Sequence, residues 1–259
     1  LKDHDFENGW NYFDGRLDLE DFREKSNYVK KLNNKLYRSS NIKNEKGKFI
    51  IVREQGVGDE ILYSSMYRDL LDDIDNTVIE CDPRLLNLYK RSFPEYSEKF
   101  VGHGTITNHD EKFKEIDNVI YAGSLGRYYR KNLKDFKKNC FLKVDKKKYE
   151  YIQKKLSIYK KEYKIGLSWK SFNNQFAKDK SLNLKDFNNI FNLTNCDIFN
   201  LQYGDVENEI YSFNSVNKNK LINLDELDLF NDFEGIAALL KSLDVFISIS
   251  NSTAHLAGA

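Results

Sequence analysis

Three short clusters in this chain combine residue types that bind anions or move protons. Gln55-Gly56-Val57-Gly58-Asp59 closes an apolar run and opens a helical pattern. Two glycines there let the backbone turn tightly and approach a ligand, and the helix that follows offers unpaired N–H groups. Ile61 stands where a dinucleotide fingerprint needs its third glycine, so the match to a nicotinamide site is weak. The bland alternative is a strand-to-helix turn with Asp59 as a partner for the helix dipole. Ser168-Trp169-Lys170-Ser171, with Lys178, Lys180 and Ser181 beyond it, places hydroxyls and ammonium groups past the end of a strand. Open α/β sheets bind ligands there, and this set suits a diphosphate; a plain polar loop is the alternative. Ser250-Asn251-Ser252-Thr253-Ala254-His255 follows another apolar strand and opens a helix, so hydroxyls, an amide and an imidazole converge on a helix start. Taken alone, that segment reads as an N-cap with a packed histidine.

Other chemistries lack their residues. His103 and His109 stand six apart with no HExxH pattern, and no GxSxG or phosphate-loop lysine motif occurs. Cys81, Cys140 and Cys196 are odd in number and never paired as CxxC, which argues for a reducing compartment rather than a disulfide framework. Forty-one Lys and Arg face 40 Asp and Glu, a formal net charge of +1 that gives no global pull toward nucleic acid. The longest apolar stretch, Gly235 to Ile249, is broken by Lys241 and Asp244, so no membrane span is expected. Residues 127–164 carry 15 Lys and Arg against four acids, and read as a solvated helix and linker or as a surface toward an anionic acceptor or a membrane.

Apolar runs alternating with helical patterns must position the clusters. Phe49–Val52, 76–80, Val101 and 118–121 read as strands of one parallel sheet, and 163–169, 197–202, 221–224 and 245–249 as strands of a second. The run 245–249 reads as a core strand, with a helix over 232–243 before it. The expected class is α/β with two Rossmann-like domains. A helical segment and linker over 1–45 precede a first domain over 46–150 and a second over 160–259. Both ends read as cuts, the second domain being incomplete.

Three segments together resemble a known family. Asp5-Phe6-Glu7-Asn8-Gly9-Trp10-Asn11-Tyr12, with Arg16, is similar to the end of tetratricopeptide arrays in certain bacterial proteins. Glu54 to Asp59 is similar to the "EQGxGD" that follows there, and Asn251 to Ala259 to their "DNSTxHLAGA". Ile165 to Lys170 and Leu201-Gln202 fall between them in order, so the resemblance covers nearly the whole chain. It points to heptosyltransferase-like glycosyltransferases of the GT-B fold attached to such repeats.

That resemblance implies inverting, metal-independent transfer with no cofactor beyond the co-substrate. A nucleotide-sugar donor would sit on the second domain, and a glycan, lipid-linked glycan or protein acceptor on the first. Asp59 matches the family's aspartate and is the candidate general base, facing the cleft, with Gln55, Gly56 and Gly58 forming the acceptor-side loop. Ser168, Lys170, Lys180, Gln202, Asn251, Ser252, Thr253 and His255 are the candidate donor-binding residues. Glu54 and Glu60 are the rival acids, Glu60 being expected to point away. Ser250 stands where the family has an aspartate, and Lys180 where relatives often have arginine, which loses bidentate phosphate binding. A cytoplasmic setting and a protein partner through the upstream repeats are implied as well. A degenerate, non-catalytic binding module and a Rossmann oxidoreductase are the competing readings.

Overall fold

The computed structural model describes residues 4–19, 35–43, 45–105, 115–172 and 180–259. The chain divides into two compact units, Leu1–Phe141 and Leu142–Ala259. Each is a parallel four-stranded sheet flanked by helices, the α/β, Rossmann-like class that the alternation of elements implies.

In the first unit the strands are β1 (Phe49–Val52), β2 (Thr77–Cys81), β3 (Phe100–Gly102) and β4 (Asn118–Tyr121), in the order β3-β2-β1-β4. β1 is central and buried at every residue, which is why it reads as an unbroken β-branched run. Its register pairs Ile51 with Ile79 on one side and with Ile120 on the other. Ile50 and Val52 pack with Leu17, Val119 and Tyr121 on one face. An aromatic layer of Tyr67, Tyr89, Phe93 and Phe100 forms a second part of the core, its neighbouring rings 5.4–6.5 Å apart. Helix α1 (Phe6–Phe13) and the 3-10 turn Asp14–Asp18 belong to this unit, since Phe6 and Leu17 are buried in it. Ile42 is buried too, and Leu36 bridges to Val119 on β4. The described parts of 1–45 are thus built into the first sheet's surroundings rather than standing ahead of them.

The remaining helices of the first unit are α2 (Val57–Ser64), α3 (Tyr67–Asp73), α4 (Leu86–Ser92) and α5 (Gly126–Tyr129). The second unit opens with α6 (Lys146–Leu156), capped by Asp145 and docked through buried Ile152 and Leu156. Lys148 Nζ grips both oxygens of Asp232 at 2.5 and 2.6 Å, so the division between the units falls ahead of the expected limit at residue 150. Then come β5 (Tyr163–Ser168), α7 (Asn188–Phe191), β6 (Cys196–Asn200), α8 (Glu207–Val216) and β7 (Leu221–Ile222). Helix α9 (Phe233–Lys241), β8 (Val245–Ser248) and α10 (Ser252–Gly258) complete it. The strand order is β7-β6-β5-β8. Its core gathers Ile165, Leu167, Trp169, Phe191, Ile198 and Phe213, each fully buried aliphatic or aromatic side chain contributing roughly 1.5–3 kcal/mol.

Among the described residues β8 is bonded to β5, with Val245 47% exposed. In the basic stretch 127–164 many cations are paired within their own unit: Arg127 with Asp14, Arg130 and Lys137 with Asp69, Lys155 with Glu226. Among the described residues no helix is long and apolar enough to cross a membrane.

Candidate functional site

The carboxyl ends of the first sheet carry the glycine turn. β1 ends at Val52, Gln55 takes a left-handed φ of +59°, and α2 begins at Val57 with Gly56 as its cap. Asp59 sits half-buried in the first turn, and its Oδ2 accepts the Gly56 N–H at 3.1 Å. That bond fixes the carboxylate beside the turn and satisfies a donor at the helix start.

The two rival acids are buried and bound. The Glu60 side chain is fully enclosed, taking Arg53 Nε at 2.8 Å and the Asp82 N–H at 2.9 Å. The apolar face of α2 points inward at this position, so the carboxylate lies under the ends of β1 and β2. Burial pushes it up to about 7, against the pull of the Arg53 guanidinium. Asp82 completes the group by binding Arg84 at 2.9 Å, which holds Asp82 below the usual carboxylate range against its burial. Glu54 makes a fork-to-fork pair with Arg16 at 2.6 and 2.8 Å and also accepts the Gly123 N–H at 2.6 Å. Glu80, at the end of β2, holds the half-exposed His103 at 2.8 Å through Nδ1.

The Arg16–Glu54 pair joins the N-terminal segment to the loop that carries the glycine turn. Asp14 extends it by binding Arg16, Arg127 and the Ser124 hydroxyl. Trp10 donates to the Arg130 carbonyl at 2.8 Å and lies flat against Gly126, where a Cβ would meet the indole at 2.4 Å. Beside this assembly an open cavity of about 380 Å³ is lined by Phe6, Trp10, Asn11, Ser40, Arg127 and Lys131, among others.

At the carboxyl ends of the second sheet, three expected residues meet. Gln202 is buried, and its Oε1 accepts from Ser168 Oγ (3.1 Å), Trp169 N (2.7 Å) and Lys170 N (2.6 Å). Its Nε2 donates to the carbonyls of Lys170 (3.2 Å) and Tyr203 (2.7 Å). Asn251 Nδ2 donates to Ser168 Oγ at 2.7 Å, while Asn251 Oδ1 caps α10 by accepting from Ala254 N at 3.0 Å. Ser168, Gln202 and Asn251 therefore spend their polar atoms on one another and on three strand ends. These bonds hold the rim together.

The other expected residues are placed differently. Lys170 Nζ pairs with Glu209 at 2.6 Å, and Glu209 also takes the Trp169 indole at 3.1 Å and the Leu184 N–H at 3.0 Å. These bonds, with Lys170, hold Glu209 below the usual range although burial opposes them. Lys180 is exposed, and Ser181 Oγ accepts from Ser171 N at 3.1 Å. In α10, Thr253 is buried, and Ser252 and His255 are half-buried. Lys178 and His109 lie outside the described residues. Among the described residues no group of three or more His, Cys, Asp or Glu is arranged to hold a metal ion. Reading the sequence missed Glu209, Arg53, Asp82 and Arg84, because a lone acid or arginine in a charge-rich chain gives no local signal of its partner.

No family model matches the chain. Protein FlbA of Caulobacter vibrioides is 27% identical over 228 residues, which are 82% of this chain and 38% of that protein. The chain thus spans 38% of the length of the curated relative it matches. Two solved structures share the fold. The glycosyl transferase family 9 structure from Veillonella parvula has a TM-score of 0.57 at 10% identity, covering 85% of this chain and 79% of that one. The ADP-heptose lps heptosyltransferase II of E. coli has a TM-score of 0.52 at 10% identity, covering 81% of each.

Proposed function

We propose that this chain belongs to a glycosyltransferase that moves a sugar from a nucleotide-sugar donor to a glycan, lipid-linked glycan or protein acceptor in the cytoplasm. The observation that carries the reading is the fold shared with two solved glycosyltransferases, together with the polar turns at the sheets' carboxyl ends. The first unit takes the acceptor and the second the donor. Transfer is inverting and needs no metal ion. Asp59 is the general base: Oδ2 is steadied by Gly56 N–H, and the carboxylate is accessible where Glu54 and Glu60 are not. On the donor side Ser252, Thr253 and His255 of α10, with Lys170 and Lys180, meet the diphosphate, and Ser168, Gln202 and Asn251 hold these loops in place. Repeats upstream of the chain would bring a protein partner.

The test is turnover of nucleotide sugars with Asp59→Asn. Loss of a general base lowers kcat by about 10²–10⁴-fold, and donor binding should remain, since the donor is assigned to the other unit. Full activity in that variant returns Asp59 to a helix cap. A second reading has one observation in its favour: Lys170 is already neutralised by Glu209, as expected of a non-catalytic binding module. Absence of transfer with every nucleotide sugar that binds would favour it.

A further inference from the structure

The rim of the second sheet carries three aromatic rings that no role above absorbs. Phe172 stands on the loop after β5, Tyr203 on the loop after β6 and Phe230 on the loop after β7. These strands are neighbours in the sheet, so the rings line up along its carboxyl end with Tyr203 in the middle. The centroids of Phe172 and Tyr203 are 5.7 Å apart, and those of Tyr203 and Phe230 6.2 Å, with planes tilted by 49° and 54°.

Phenylalanine is normally buried, yet Phe172 is 42% exposed and Phe230 57% exposed. The row is also built rather than incidental. Gln202 bonds the carbonyls of both Lys170 and Tyr203 and so fixes the spacing of the first two loops. Gly204 has φ +88° and no room for a Cβ, which would meet the Phe172 ring at 2.4 Å. Exposed, pre-positioned rings just outside the strand ends of an open parallel sheet occupy the place where such folds seat ligands.

We infer that Phe172, Tyr203 and Phe230 seat the aromatic base of a nucleoside diphosphate by stacking. The inference rests on the donor reading and adds how the base is recognised. The layout gives the ligand a direction. The base lies over the β5–β7 side of the rim, and the phosphates lie toward β5 and β8, where Lys170 and the first turn of α10 stand. Stacking uses a π-face that every base has, so recognition is tolerant of base identity.

Calorimetry on the full chain with ADP, UDP, GDP and CDP, and with inorganic pyrophosphate and glucose as controls, tests this. The four nucleotides should bind within about tenfold of one another. Phe172→Ala and Phe230→Ala should each weaken them by about 5- to 150-fold, the range for loss of one base–aromatic stack. Pyrophosphate binding should not change, and Phe230→Tyr should retain nucleotide affinity. Phe172 is 42% and Phe230 57% exposed, so the alanine variants should fold, which circular dichroism checks. If nucleotides bind equally well to the ring variants but Ser252→Ala weakens them, the stacking seat is wrong and the donor reading stands. If glucose binds and the ring variants abolish that, the rings seat a sugar face and the inference is overturned. If wild type binds no nucleotide, the donor reading falls, and this inference with it.

Discussion

An acid at the start of a helix can act as a cap, as a base, or as both, and the three acids around the glycine turn separate these roles by burial. Asp59 holds one N–H and keeps access to solvent. Glu54 is consumed by Arg16 and Gly123. Glu60 is enclosed and raised to about 7. A carboxyl whose folded value lies above its ordinary 4.5 binds its proton more tightly when folded. Its stabilising contribution is therefore complete below about pH 4.5 and is lost as pH rises toward 7. Glu60→Gln removes that dependence. Urea unfolding should show wild type losing up to about 3 kcal/mol relative to the variant across that window, at about 1.4 kcal/mol per pH unit. A difference between the two proteins that stays constant from pH 4.5 to 7 would refute the assignment.

At the scale of elements, what the sequence made legible was periodicity and turns. β1, β5 and the glycine turn follow from β-branched runs and a Gly-x-Gly break, and all stand within a residue or so of where the pattern puts them. The Ser250–His255 segment was readable as a cap because a cap's partner lies three residues away, as Ala254 does from Asn251. Long-range pairs were not readable. Arg16 and Glu54 are 38 residues apart, Gln202 and Trp169 33, and nothing local marks them as partners.

The Arg16–Glu54 pair ties the N-terminal segment to the loop after β1, and its charges are little exposed, 10% and 1% by side chain. Arg16→Ala leaves a buried carboxylate without its cation and should cost about 3–5 kcal/mol in urea unfolding. Arg16→Met combined with Glu54→Leu should recover much of that loss, since a buried pair replaced by apolar groups of similar size is often near neutral. A double variant no more stable than Arg16→Ala would mean that Asp14, Ser124 and the Gly123 N–H, which these side chains also bind, need the polar pair.

The whole molecule is two parallel-sheet units joined by a stretch without regular structure. From Phe136 to Asp145 no residue lies in a helix or strand, and Lys138, Asn139, Cys140 and Lys143 are exposed. The units divide within it, between Phe141 and Leu142. Each has its own buried core, with Ile50, Val52, Val119 and Tyr121 in one and Leu167, Trp169, Ile198 and Phe213 in the other. Boundaries between such units fall where few contacts cross and where the backbone is open to a protease. Brief trypsin treatment should therefore cut after Lys138 or Lys143, and two fragments of roughly half the chain should accumulate, as read by intact mass. Glu60→Gln should change the survival of the first fragment only, because the carboxylate and its partners Arg53 and Asp82 all lie in that unit. Nucleoside diphosphate should slow digestion of the second fragment and leave the first unchanged, since a ligand that binds the folded form stabilises that form. Protection of the first fragment instead would move the nucleotide to the sheet that carries Asp59 and reverse the assignment of donor and acceptor.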